Sequence, residues 1–372
     1  MTNDTIVGND PVFRPRTRLN PLDRLGLHLI NDVRDLPFIR HIVVLSLIVF
    51  TAAAYFYFAP SFPWWTAAIY LAVHFSVMLG PYILMLHNTS HRVLWKPKYS
   101  WMKGYIPNVL GPFFGETPNT YYVHHIGMHH PENNLHDDLS STMPFDRDRL
   151  WHFARYVGRF YVLGVPELSK YMWVRRRFKL FRRAVGGEMI YIGLMLGLGI
   201  INWQATLVVF FLPLLFARFA MMAGNWAQHA FIDANDPSNP YRNSITCVNS
   251  SYTRRCFNDG YHIGHHVKAN RHWTDMPGDF LANREKYAAE DSIVFQKVDF
   301  FIVWAMLMLK RYDWLASYYV NLGGPERSRE ELVRYMRIRT RRIPRESEQE
   351  AQAPAPAKER ITLKRPSPVL EH

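Results

Sequence analysis

Long apolar runs alternate along this chain with basic, polar connectors. Crossing a bilayer core of about 30 Å takes roughly 20 helical residues, and four runs suit that length: about 41–60, 64–86, 187–203 and 205–224. A few residues part the first from the second, and the third from the fourth. Each pair therefore reads as a tight helical hairpin with its outer turn on the same side of the membrane. Pro81 and Pro213 would break a soluble helix, whereas a membrane helix tolerates them as kinks. Trp64 and Trp65 suit an interfacial belt, and Arg218 is expected to snorkel toward headgroups. Two shorter stretches, Tyr105 to Phe114 and Val298 to Leu309, cannot span and are expected in the interface or against it.

Charge gives this topology a direction. Residues 1–40 carry 6 Lys/Arg, residues 87–186 carry 15 and residues 225–372 carry 22, while the two short turns carry none. Under the positive-inside rule the N-terminus, the central loop and the C-terminal region face the cytoplasm. The chain thus divides into a cytoplasmic N-terminal segment (1–40), a membrane domain (41–343) and a polar tail (344–372) expected to be disordered. No apolar stretch in residues 1–40 resembles a cleavable signal peptide. The run from Val174 to Arg183 mixes cations with bulky apolar residues, and reads either as an interfacial helix gripping anionic lipid or as ordinary positive-inside flanking. Membrane-flanking cations account for most of the net charge of +13, so nucleic acid is not expected as a partner. Cys247 and Cys256, nine apart, match neither a disulfide framework nor paired zinc spacing, and read as reduced thiols.

Of 17 histidines, nine stand at metal-ligand spacings beside the apolar runs. His87 and His91 are four apart, on one face of a helix continuing the second span. His125, His129 and His130 add an adjacent pair to the same i, i+4 relation, and His262, His265 and His266 do likewise. Adjacent helical residues point about 100° apart, so each adjacent pair can serve two ions while the earlier histidine reinforces one of them. With the lone His229 the set supplies nitrogen for two metals. Imidazole suits Zn, Cu, Fe and Ni, and the thiolates that favour structural zinc are missing. Iron is preferred because cleaving an unactivated C–H bond needs oxygen activated at a redox metal. No serine triad, phosphate loop or nucleotide fingerprint competes.

The segments HNTSH at 87–91, HIGMHH at 125–130, GNWAQH ending at His229 and HIGHH at 262–266, in this order among the spans, resemble the membrane fatty acid desaturase and hydroxylase superfamily over roughly residues 40–320. The resemblance implies an all-α integral membrane fold: four transmembrane helices in two hairpins beneath a helical cytoplasmic cap, with two iron ions ligated by His87, His91, His125, His129, His130, His229, His262, His265 and His266. It also implies an acyl lipid or thioester substrate, O2, and an external electron donor such as ferredoxin, cytochrome b5 or rubredoxin. The second box, HxxxHH, looks like the alkane hydroxylase branch. The stretches Pro131 to Asn134, Asp138 to Ser141 and Cys256 to Tyr261 look like bacterial and algal fatty acid desaturases.

The leading expectation is a diiron fatty acyl desaturase, and a hydroxylase of the same fold is the alternative. A membrane metal-binding or transport protein would want polar residues through the spans, whereas these histidines gather at their ends. Asn225, Asp137, Asp138 and Asp259 are candidate partners behind the ligands. His124 and His136 extend the second box without its spacing, and His74 reads as a packed, hydrogen-bonded residue.

Overall fold

A computed structural model describes residues 9–15 and 18–345. Of the expected tail, residues 346–372 lie outside the described residues. Four helices among these are long and apolar enough to cross a membrane: Val33–Phe58 (α1), Trp64–His91 (α2), Phe178–Ile201 (α5) and Trp203–Gln228 (α6). Each runs past the apolar stretch that marked it. The histidine-bearing ends are therefore rigid continuations of the spans: α2 carries its winding through Thr89 and Ser90, whose hydroxyls bond back to Met85 and Leu86 carbonyls, as far as His91. Between the spans lie Thr120–His124 (α3) and Leu150–Val174 (α4). After them come His262–Val267 (α7), Phe300–Met308 (α8) and a pair of three-residue parallel strands, Thr246–Val248 and Val294–Gln296.

Proline leaves a mark on the winding. Segments His74–Met78, Leu207–Phe211 and His125–His129 are π-wound, and Pro81, Pro213 and Pro131 follow each within three residues. A proline ring crowds the carbonyl four residues back and offers no N–H, and a wider turn relieves both problems. The kinks expected at Pro81 and Pro213 are thus absorbed as π turns, and the third such turn lies inside the second histidine box.

Three local expectations change. Tyr105–Phe114 does not lie flat in the interface but is packed between the spans: the His74 ring bonds the Phe113 carbonyl at 3.0 Å, the Tyr191 hydroxyl donates to the Pro112 carbonyl at 3.1 Å, and Phe114 stacks on Tyr82. Irregular backbone is tolerated at that depth because protein satisfies its polar groups. Arg218 does not snorkel; its Nη2 donates to both oxygens of Glu188 on α5, at 2.9 and 3.2 Å. Of the basic run from Val174 to Arg183, Arg175 to Arg177 form a corner between α4 and α5 in which Arg176 takes φ 57°, and Phe178 to Arg183 form the first turns of α5.

The termini of these elements are tied across the chain. His272 bonds Asp35 at 3.0 Å, and Arg92, next to His91, bridges Asp32 and Asp35. Near the N-terminus, Asp10 accepts from the Asn249 N–H at 2.7 Å and the Tyr261 hydroxyl at 2.9 Å. The first tie holds the segment after the third histidine box against the first box, and the second holds the N-terminal segment against the residues leading into the third.

Candidate metal centre

Nine imidazoles converge where the end of α2, the π turn after α3, the end of α6 and α7 meet. Their Nε2 atoms form two groups. In the first, His87 lies 3.0 Å from His265, His265 3.0 Å from His130, His130 3.1 Å from His125 and His125 3.0 Å from His91. In the second, His266 lies 3.0 Å from His262, and His262 3.2 Å from His229. His129 completes it, with ligand atoms of His129, His229 and His266 all within 4.8 Å of one another.

Spacing left open which member of each adjacent pair the earlier histidine reinforces. In the second box His125 stands with His130, five residues on. The turn between them is π-wound, so its backbone bonds and its side-chain alignment run i to i+5. The N–H of His130 bonds the His125 carbonyl accordingly. The third box lies on an α-helix and keeps the α rule: His262 sides with His266, four on, and His265 faces the other group. Gly127 occupies the π turn where an added Cβ would meet Met172 at 2.9 Å.

Hydrogen bonds fix which nitrogen of two rings points inward. His129 Nδ1–H donates to Asp138 Oδ2 at 2.7 Å. His229 Nδ1–H donates to Oδ1 and the backbone carbonyl of Asn243, at 3.0 and 3.1 Å. A neutral imidazole carries one N–H, so Nε2 of each is an inward lone pair. Burial first, and then neighbouring imidazoles, push His125, His262, His265 and His266 well below the usual range, His130 to about 2 and His229 to about 4. These six rings therefore resist protonation while ring nitrogens pack about 3 Å apart, an arrangement that metal cations would relieve. An all-imidazole donor set fits iron as well as zinc, copper or nickel.

Asp138, named from sequence, is the best-connected partner behind the converging histidines. Besides His129, its carboxylate accepts from the Asn134 N–H, the Ser140 N–H and the Ser140 hydroxyl, at 3.1, 2.8 and 2.6 Å. Burial opposes its ionisation, yet His129 and Ser140 hold it down at about 2. Asp259 is buried behind His87, with 3.8 Å from Oδ1 to Nδ1, beyond hydrogen-bond reach, and burial raises it to about 7. Asn225 acts one step further out: its Nδ2 donates to the Ser140 carbonyl at 2.9 Å and to the Tyr156 hydroxyl at 2.8 Å. Asp137 does not serve as expected. It is exposed and pairs with Arg175 and Arg345, because its side chain points away from the face that Asp138 presents to His129.

Asn243 went unnoticed in the sequence. It grips His229 from 14 residues away and donates Nδ2 to the Asn133 carbonyl at 2.8 Å, tying the second box to His229. Nothing in its local sequence marks that role. His124 is half-buried beside His129, with ring centroids 6.4 Å apart, but joins neither group. His74 is packed as expected. A third set, Asp32, Asp35 and His272, has ligand spacing, but Arg34 and Arg92 already neutralise its carboxylates.

A cavity of about 640 Å³ leads away from the centre. His87, His125, His129 and His262 form one end. Phe75 and Phe216, stacked with centroids 4.1 Å apart, lie 12 residues before His87 and 13 before His229 along α2 and α6. At 1.5 Å per helical residue that is roughly 18 Å from the histidine cluster. Leu79, Ile83 and Met222 line the passage, which has the size and apolar character of a site for a lipid chain.

The family model described as Fatty acid desaturase matches residues 59–297, a stretch that contains all nine converging histidines. A comparison with curated proteins gave no match.

Proposed function

The chain belongs to the fatty acid desaturase family, and from that premise we propose that it is a membrane non-haem diiron enzyme that introduces a double bond into a lipid acyl chain. One iron would be held by His87, His91, His125, His130 and His265, and the other by His129, His229, His262 and His266. The observation that carries the reading is the pairing of two imidazole groups with an apolar cavity that ends on their ligands. Two irons there would supply the oxygen activation needed to break an unactivated C–H bond. In balance, –CH2–CH2– with O2, two electrons and two protons gives –CH=CH– and two waters. The electrons come from an external carrier, and the basic residues around the site suit an acidic one.

The protein's own contribution is placement. The passage past Leu79 and Ile83 excludes water and holds an extended chain with one stretch of it against the ligand cluster. The Phe75–Phe216 stack closes the way onward and selects which carbons reach that stretch. Asp138 and Asn243 fix two imidazoles in orientation and tautomer.

The product decides between this and the alternative, a hydroxylase, which the π-wound HxxxHH box favours through its likeness to the alkane hydroxylase branch. Expression under 18O2 in a host lacking the product should yield a lipid lighter by two hydrogens and free of label. Label retained in the lipid at one oxygen per molecule would establish hydroxylation instead.

We further place the converging histidines, both termini and, apart from the stretch from Tyr105 to Thr120 that packs against the spans, the residues between α2 and α5 on the cytoplasmic side of two helical hairpins. The support is the zero Lys/Arg count of the two short turns against 15 for residues 87–186. Ser61 and Ser100 are exposed, and both native cysteines are buried. An impermeant thiol reagent applied to intact cells should label Ser61→Cys, and reach Ser100→Cys only after the membrane is opened. Labelling of Ser100→Cys from outside would overturn this orientation.

A further inference from the structure

One wall of the apolar cavity is not apolar. The turn after Phe114 is wedged between two spans by two close approaches. At Gly115, φ 76°, an added Cβ would lie 2.3 Å from the Pro213 carbonyl oxygen on α6, and at Gly187 on α5 an added Cβ would lie 1.7 Å from the Pro118 carbonyl oxygen. No other residue fits at either place. The wedge delivers Glu116 and Thr117, each 4 % exposed, to the cavity wall, where Thr120, the first residue of α3, and Arg218 line it as well.

These groups are under-used by the protein. Glu116 Oε1 and Thr120 Oγ1 are buried without a hydrogen-bond partner among the described residues. Arg218 commits Nη2 to Glu188, and its Nη1 and Nε make no hydrogen bond among the described residues. Ionisable and polar side chains at the wall of a lipid-chain passage are costly and mark a functional contact.

Resting on the reading of this cavity as a lipid-chain site, we propose that it takes a chain carrying an uncharged hydrogen-bonding group, a hydroxyl or a carbonyl, held by Glu116, Thr120 and Arg218 at a fixed distance from the metal ligands. Arg218 precedes His229 by 11 residues, so that distance is roughly 16 Å along α6. The absence of net charge at the patch selects the class. Glu188 cancels Arg218, and burial pushes the Glu116 carboxyl up to about 8 against the pull of Arg218, which leaves a neutral acid able both to donate and to accept. A carboxylate or phosphate brought here would stand without a countercharge, whereas a hydroxyl or carbonyl fills the open positions. The polar anchor and the Phe75–Phe216 stack together set the register of the chain against the metal centre.

Binding of radiolabelled octadecane, 1-octadecanol and octadecanoate to the purified full-length protein in detergent tests this without turnover. The alcohol should bind about 10-fold more tightly than the alkane, as one or two buried hydrogen bonds allow, and octadecanoate no more tightly than the alcohol. Glu116→Leu should bring the alcohol down to the alkane's affinity with alkane binding unchanged, which also reports that the variant is folded. Glu116→Gln should keep most of the preference, and Thr120→Val should reduce it even if Glu116→Leu fails to fold. Equal affinity for alcohol and alkane, or a preference for octadecanoate, would overturn the inference while leaving the lipid-cavity reading intact. Failure of all three to bind would overturn both.

Discussion

Replacing His265 with alanine is expected to lower turnover at least about 100-fold and to strip metal from the centre, with membrane insertion and expression unchanged. The size follows from position. His265 Nε2 lies 3.0 Å from both His87 and His130, so it links the histidines of α2 to those of the second box. Losing even a group behind a ligand costs 10- to 100-fold in metal affinity or activity, and losing the ligand itself leaves an open coordination position. His265 lies on α7, outside the four spans, so its removal takes no apolar surface from the membrane. His130→Ala should behave alike, since its Nε2 meets those of His125 and His265. Metal content by mass spectrometry and product formation check both variants. One zinc and no iron in the native protein, with full activity in both variants, would end the diiron reading.

Asp138→Asn should weaken metal binding roughly 10- to 100-fold while leaving the fold in place. The four groups around the carboxylate, His129 Nδ1–H, the Asn134 N–H, and the Ser140 N–H and hydroxyl, all donate. An asparagine must turn its NH2 toward at least one of them. The amide also lacks the negative charge that makes His129 a stronger base toward metal. Competition for iron with a chelator of known affinity measures the change, and affinity equal to the native protein's would remove Asp138 from the centre. Asp137→Asn, next to it in sequence but exposed and paired with Arg175 and Arg345, is the control and should leave affinity unchanged.

The contrast between those two neighbouring aspartates shows where sequence reading stops. Both stood eight or nine residues beyond His129, and neither spacing nor composition told them apart. The backbone path from Asn134 to Ser140, which turns Asp138 inward, made the distinction. Asn243 is a stronger case: its bond to His229 and its hold on Asn133 join segments 14 and 110 residues apart, and no local pattern encodes either. Arg218 was misjudged because its partner Glu188 belongs to another span, and an isolated cation near a helix end has no visible alternative to the headgroups.

What the sequence determined by itself was what rests on local, one-dimensional physics. Apolar length located the four membrane-length helices, because hydrocarbon thickness sets a residue count, and i, i+4 spacing gathered the histidines by box, because an α-helix returns to the same face each turn. Which member of the adjacent pair His125 joins was left open by spacing, and the π turn before Pro131 set it beside His130; the tertiary structure alone decided which boxes share a group. It also decided which polar groups stand behind them and which wall of the cavity is polar. Those contacts come from segments far apart in the chain, brought together by packing, and their energies depend on burial and on partners that a linear pattern does not contain.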